Sequence, residues 1–124
     1  MGSGGVEQRR GKVLVVEDVA LIRATTMDMA EQLGFAVMEA PDAQEALTLL
    51  HRDSGITVLL TDLGLPGMSG HQLVDEALQL RPDLKVIIAT GYSTRGEDGT
   101  ALARRIGYLV KPFDMKQLRK ALES

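Results

Sequence analysis

The sequence predicts one α/β domain built on a doubly wound, five-stranded parallel sheet with helices on both faces. Three observations carry that prediction. Short β-branched runs alternate with longer stretches of helical spacing, the order expected of βαβ units. The runs Val13-Leu-Val-Val16 and Val86-Ile-Ile-Ala89 are apolar without interruption, as strands covered on both faces must be. The chain has 124 residues, which suits a single domain that buries about two thirds of its unfolded surface without a disulfide or structural metal.

The elements follow in order. Residues 1–11 are small, polar and charged and read as a flexible leader, with the domain proper over 12–124. The first strand is 12–16. A helix is expected over 19–33, with Leu21, Ala24, Thr25, Asp28 and Leu33 near helical offsets and Gly34 at its C-terminal cap. The second strand covers 35–40 and is only partly buried, given Glu39. Pro41-Asp42 opens a second helix, where Asp42 and Glu45 have capping-box spacing and Ala46, Leu47, Leu49 and Leu50 form the apolar side.

The third strand, 56–62, ends in Asp62. The turn-rich Gly64-Leu-Pro-Gly-Met-Ser-Gly70 separates it from a helix near 71–80, which Arg81-Pro82 stops. The fourth strand is 85–90. Gly91, Gly96 and Gly99 precede a short helical stretch around 100–106. Glycine costs roughly 1 kcal/mol against alanine inside a helix, so this fourth helix is expected to be short or mobile. A fifth strand over 107–110 leads through Lys111-Pro112-Phe113 to a last helix near 115–123, capped by Asp114 with Gln117 at box spacing.

Composition excludes several classes of function. The chain has no cysteine, so thiolate metal sites, disulfides and thiol catalysis are ruled out. Fourteen Lys+Arg against 17 Asp+Glu leave a formal charge of −3, which gives no electrostatic reason to expect direct nucleic-acid binding. No apolar run approaches the ~20 residues of a membrane span. A cytoplasmic setting is the expectation. His51 and His71 read as helix-surface residues, and Met27, Met29 and Met38 as filler.

In open parallel sheets, function collects at the carboxyl ends of the strands. Here those ends carry Glu17 and Asp18, Asp62, Thr90 and Lys111: three carboxylates, a hydroxyl and an ammonium on one rim. Like charges ~5 Å apart repel by roughly 3 kcal/mol at an effective dielectric near 20. Something positive must therefore sit among them. Lys111 provides one charge and a hard divalent cation such as Mg2+ would provide two. Such a site suits phosphoryl transfer, which depends on positioning and charge stabilisation, with a carboxylate as nucleophile.

Four segments, each at a strand end, together resemble the receiver domain of response regulators and hybrid sensor kinases. They are Val-Leu-Val-Val-Glu17-Asp18, Leu-Leu-Thr-Asp62-Leu-Gly-Leu-Pro66-Gly67-Met-Ser-Gly70, Ile-Ile-Ala-Thr90-Gly91-Tyr and Tyr108-Leu-Val-Lys111-Pro112-Phe113. The resemblance covers about residues 12–122 and brings the flavodoxin-like strand order 2-1-3-4-5 with five helices. It implies that Asp62 accepts a phosphoryl group from a histidine kinase or a histidine phosphotransfer domain. It implies that Asp18 binds Mg2+ directly, Glu17 acts mainly through a metal-bound water, and Gly64 offers its backbone carbonyl. Lys111 would pair with Asp62 and then with the phosphoryl oxygens. Thr90 would move toward that group and Tyr108 would turn inward behind it. The Lys111-Pro112 bond is cis in such domains. The responding surface would be the fourth helix, fifth strand and last helix. The molecule would act as a monomer or a phosphorylation-linked dimer and catalyse only its own phosphorylation and dephosphorylation.

Glu17 stands where a second aspartate is more common. Other readings of single residues stay open: Asp18 as a helix N-cap, Thr90 as a strand hydroxyl, Lys111 as a surface lysine, Tyr108 as a half-buried residue with no switching role. Two other classes also stay open. A haloacid-dehalogenase-like phosphatase also has an aspartate nucleophile, but needs a second acid two residues on, where this chain has Gly64. A receiver-like module that binds without phosphorylation usually lacks the acceptor or the lysine, and both are present. A nucleotide-binding fold is disfavoured because the first strand runs into Glu17-Asp18-Val-Ala and not into a glycine-rich loop.

Overall fold

The computed structural model of the chain describes residues 10–91 and 106–124. Its elements are β1 (Lys12–Val16), α1 (Ala20–Gln32), β2 (Ala36–Ala40), α2 (Ala43–Arg52), β3 (Ile56–Asp62), α3 (Gly70–Leu80), β4 (Lys85–Thr90), β5 (Ile106–Val110) and α4 (Met115–Glu123). All strand pairs are parallel and the sheet order is β2-β1-β3-β4-β5. This is the flavodoxin-like order. Among the described residues no helix is long and apolar enough to cross a membrane.

Alternation along the strands splits the core in two. Leu14, Val16, Leu59, Val86 and Ile88 face α2 and α3, where they meet Ala46, Leu50, Leu73, Val74 and Ala77. Val13, Val15, Val58, Leu60, Ile87, Ala89 and Leu109 face the other way, onto Ala30, Phe35, Leu118 and Leu122. Period-2 side chains from one sheet thus feed two separate apolar layers.

Local chemistry ends and begins the helices. Gly34, at φ 99°, follows the C-cap of α1; its N–H donates to the Glu31 carbonyl and that of Phe35 to the Ala30 carbonyl. This is a Schellman closure, which needs the left-handed conformation glycine accepts most readily. Asp42 accepts from the Glu45 N–H at 2.8 Å. Asp114 and Gln117 form the full reciprocal box expected of them. Ser69 and Gln72 form another that the sequence reading passed over, and it starts α3 at Gly70.

One expectation needs correction. Ile106 was assigned to the end of a helix, but it opens β5, where it pairs with Val86 and packs against the α2–α3 layer. A β-branched side chain suits that pleated position. The rest of that helix, and Tyr92, Gly96, Gly99, Arg104 and Arg105, lie outside the described residues. The residues at helical offsets in α1 divide between core and solvent, with Leu33 packed on the core. Leu21 is 77% exposed, and α1 buries Thr26 and Ala30, flanked by the half-buried Met27, Met29 and Leu33. Small residues let the helix sit close to the sheet, so its buried face is not its most apolar one. Residues 1–9 of the leader are likewise outside the described residues. Arg10, its next residue, donates from its backbone N–H to Gly34 O, lies over the Phe35 ring and pairs with Glu123 at 2.7 Å.

At the amino ends of β1 and β3, opposite the acidic rim, Asp53 accepts from Lys12 Nζ at 2.7 Å and from the Gly55 N–H at 2.8 Å. The Lys12 bond above all, then the Gly55 bond, holds its carboxyl below the ordinary value. A depressed folded-state pKa stabilises above the unfolded value and loses that effect as pH falls through the folded one. Asp53→Asn is therefore expected to melt lower at pH 7. The gap from wild type should close as pH drops below about 3.9. A gap in melting temperature that stays constant from pH 7 to pH 3 would contradict this.

Candidate functional site

The carboxyl ends of β1, β3, β4 and β5 converge. Glu17 and Asp18 directly follow β1, Asp62 ends β3, Thr90 ends β4 and Lys111 directly follows β5. Carboxylate oxygens of Glu17, Asp18 and Asp62 all lie within 4.8 Å of one another. Lys111 Nζ sits 2.8 Å from Asp62 Oδ1 and 3.2 Å from Glu17 Oε1. The cluster is graded in exposure: Glu17 buried, Asp62 intermediate, Asp18 open to solvent.

At that spacing, each carboxylate pair repels by at least about 3 kcal/mol at an effective dielectric of 20. Three negative charges against the one on Lys111 leave a formal local charge of −2. Burial pulls the Lys111 pKa down, but hydrogen bonds to Asp62 and Glu17 and the attraction of both carboxylates outweigh it. The ammonium is therefore held above the ordinary lysine value and stays charged throughout the neutral range. The peptide bond that follows it, Lys111–Pro112, is cis.

Glu17 is held at every polar atom. Its N–H donates to Ala40 O, its Oε1 accepts from Lys111 and its Oε2 from the Val19 N–H at 3.1 Å. Its carbonyl accepts from Arg23 Nη1 at 2.7 Å, while Arg23 Nε reaches Glu39 Oε1 at 2.8 Å. Sequence reasoning missed Arg23. The available signal was a cation one turn into α1 with an acid on the neighbouring edge strand.

Asp62 is seated by the loop after it. Its carbonyl accepts from Thr61 Oγ1 at 2.9 Å. The Gly70 N–H donates to Leu63 O at 2.9 Å, and a Cβ on Gly70 would lie 2.6 Å from Asp62 O and 2.8 Å from Leu63 Cα. Only a residue without a side chain lets α3 start this close to the β3 end. Gly64 is exposed, and a Cβ there would stand 3.8 Å from Asp62 Oδ2, so this side of the carboxylate is open.

Thr90 is buried at the end of β4, and its carbonyl accepts from the Lys111 N–H at 2.8 Å. Tyr108 is half-buried on β5, opposite Ile88, against the α2–α3 layer. The acids, the lysine and the Thr90 main chain are thus brought together, and Tyr108 sits two residues before the β5 end. His51 and His71 are both exposed on helices, and neither belongs to the acidic cluster.

The model of the response regulator receiver domain family matches residues 13–123. The chain is 34% identical over 116 residues to a chemotaxis protein CheY homolog of Campylobacter jejuni, covering 90% of this chain and 89% of that protein. It is 34% identical over 113 residues to the sensor kinase CckA of Brucella abortus, covering 86% of this chain but 11% of the kinase. It spans 30% of a protein-glutamate methylesterase of Caulobacter vibrioides. Against those two longer relatives it corresponds to one part of the protein. A receiver domain protein from Clostridium thermocellum superposes with a TM-score of 0.82 at 28% identity, covering 91% of each chain. The response regulator protein TrrA from Thermotoga maritima, solved in complex with Mg(2+)-BeF, gives 0.80 at 26% identity, covering 91% of this chain and 96% of that one.

Proposed function

The chain belongs to the receiver domain family of two-component systems, and from that premise we propose that it is a signalling switch driven by magnesium-dependent phosphorylation of Asp62. The observation that carries this reading is the charge deficit of −2 around Asp62, made of oxygen donors only and bordered by one lysine. That donor set fits a hard divalent cation. Asp18 and Asp62 would hold it with the Gly64 carbonyl, and Glu17, already engaged by Lys111 and Val19, would act through a bound water. When bound, the cation supplies charge neutralisation for an incoming phosphoryl group. That the Thermotoga relative was solved in complex with Mg(2+)-BeF supports Mg2+ as the cation.

The chain's own residues do the rest. An Asp62 carboxylate oxygen attacks phosphorus on its open Gly64 side; the phosphorus–nitrogen bond of a phosphohistidine breaks and the imidazole leaves with the electron pair. The donor is a histidine kinase or a histidine phosphotransfer domain. Exposed Val19, Leu21 and Ile22 beside the rim give it apolar surface to rest on. Lys111 transfers its hydrogen bond from Asp62 to the phosphoryl oxygens. The modification adds about −1 to the ionised aspartate, and Thr90 donates to it. Tyr108 then turns inward, and the surface of β5 and α4 changes for a downstream target. Driving such an equilibrium from 1:99 to 99:1 takes about 5.5 kcal/mol, within reach of a few charge-assisted hydrogen bonds. The domain works in the cytoplasm, as a monomer or a phosphorylation-linked dimer, and catalyses only its own phosphorylation and dephosphorylation.

The test is labelling with a small acyl phosphate or phosphoramidate. Stoichiometric incorporation with Mg2+ and loss of labelling with EDTA are expected. Labelling indifferent to EDTA, or its absence in a folded protein that binds Mg2+, would overturn the reading. Steady turnover of a phosphomonoester would instead support the phosphatase alternative.

A further inference from the structure

We propose that Arg23 is a positioning residue for the acidic rim: it locks the β1–α1 turn so that Asp18 and Glu17 are presented to a cation. This rests on the phosphorylation-switch reading above. The turn has three residues between β1 and α1, and two of them are the acids. The helix that follows lacks the usual lock at its start, because its N-cap is Val19 and no side chain caps it.

Two other contacts hold that start. Glu17 Oε2 accepts the Val19 N–H, and Arg23 Nη1 donates to the Glu17 carbonyl at 2.7 Å. The Glu17 carbonyl and the Asp18 N–H belong to one planar peptide. Fixing its oxygen therefore fixes the direction in which the Asp18 backbone, and with it the exposed Asp18 side chain, leaves the turn. The guanidinium is itself aimed by its Nε bond to Glu39 on β2. Its side chain is 17% exposed while that of Glu39 is 54% exposed. The carbonyl bond is thus the sheltered, charge-assisted contact, and the Glu39 pair is a surface ion pair of small weight.

Charge and position make opposite predictions here. A cation beside the rim repels an incoming metal ion, so an arginine acting by charge alone would weaken metal binding, and its removal would tighten it. An arginine that positions the acids does the reverse.

The experiment uses the whole chain with Arg23→Ala, Arg23→Met and Glu39→Gln. Mn2+ binding is followed by the paramagnetic resonance of the free ion. Exchange of the Val19 amide is followed in EDTA, with the melting temperature in EDTA as the control for folding. Losing a partner that orients a metal ligand typically weakens affinity 10- to 100-fold. Both Arg23 variants are expected to bind Mn2+ about tenfold more weakly and to exchange the Val19 amide faster than the amides in the middle of α1. Glu39→Gln should stay within about twofold, since exposed pairs contribute little. Arg23→Met keeps most of the side-chain volume, so it carries the comparison if the alanine variant does not fold. Folded Arg23 variants that bind Mn2+ as tightly as wild type, or more tightly, would overturn the role of Arg23 alone. Wild-type protein that binds no Mn2+ would overturn the switch reading and this inference with it.

Discussion

Asp62→Asn is expected to bring phosphoryl labelling down to background, at least a hundredfold below wild type, while the protein stays folded. The substitution keeps the shape of the side chain and an oxygen that can accept from Lys111, now 2.8 Å from Asp62 Oδ1. It removes the anionic nucleophile. It also removes one of three carboxylates packed within 4.8 Å of one another, so the formal local charge falls from −2 to −1. Two secondary effects follow from that change. Without metal, relief of repulsion should raise the melting temperature, because the pairs cost energy that Lys111 only partly offsets. With metal, the affinity for Mg2+ should drop. Hydroxylamine-sensitive labelling by a small phosphodonor, scored beside melting curves in EDTA and in Mg2+, checks all three. Full labelling of the asparagine variant would remove Asp62 from its role.

Gly70→Ala should be the most damaging single-methyl addition among the rim glycines. The new Cβ would meet Asp62 O at 2.6 Å and Leu63 Cα at 2.8 Å. Both are backbone atoms and cannot swing aside like a side-chain tip. Overpacking of this kind costs about 1–3 kcal/mol, which in a domain of this size lowers the melting temperature by on the order of 10 °C. Because the clash falls on the acceptor's own carbonyl, the β3 end must shift, and labelling should slow by more than the stability loss accounts for. Gly91→Ala is the matched control. Among the described residues a Cβ there meets nothing within 4 Å, and Gly91 is not among the positive-φ glycines. Its melting temperature should stay near wild type. Equal stability of the two variants would show that α3 can back away from Asp62 at no cost.

Most of the architecture was legible because the strands are nearly pure apolar runs whose ends carry polar residues of distinct chemistry. Val13–Val16 flows into Glu17 and Asp18, and Ile87–Ala89 into Thr90, so both the sheet and its working edge could be read from one pattern. The capping residues Asp42 and Asp114 were legible for the same reason, since their spacing to Glu45 and Gln117 is a local rule. What escaped was long-range. Arg23 stands out along α1 only as its single cation, and it acts by reaching back to Glu17 O and across to Glu39. Alanines and threonines make up much of α1, so its sequence gives little contrast between faces, and it buries Thr26 and Ala30 while Leu21 stays exposed. Gly70 reads as one more loop glycine until the proximity of Asp62 O gives it a steric reason. Ile106 was drawn into a helical window because no sequence signal marks where the fifth strand begins, and its pairing with Val86 decides the matter.

The bond from the Lys111 N–H to the Thr90 carbonyl joins the two strand tips at the rim like the pin of a hinge. A hydroxyl and an ammonium that answer the same newcomer are thereby mounted on linked main chains. Neither tip can travel far along the sheet without dragging the other or snapping the pin, so the slowest-exchanging rim amide in the resting protein should be the one on Lys111.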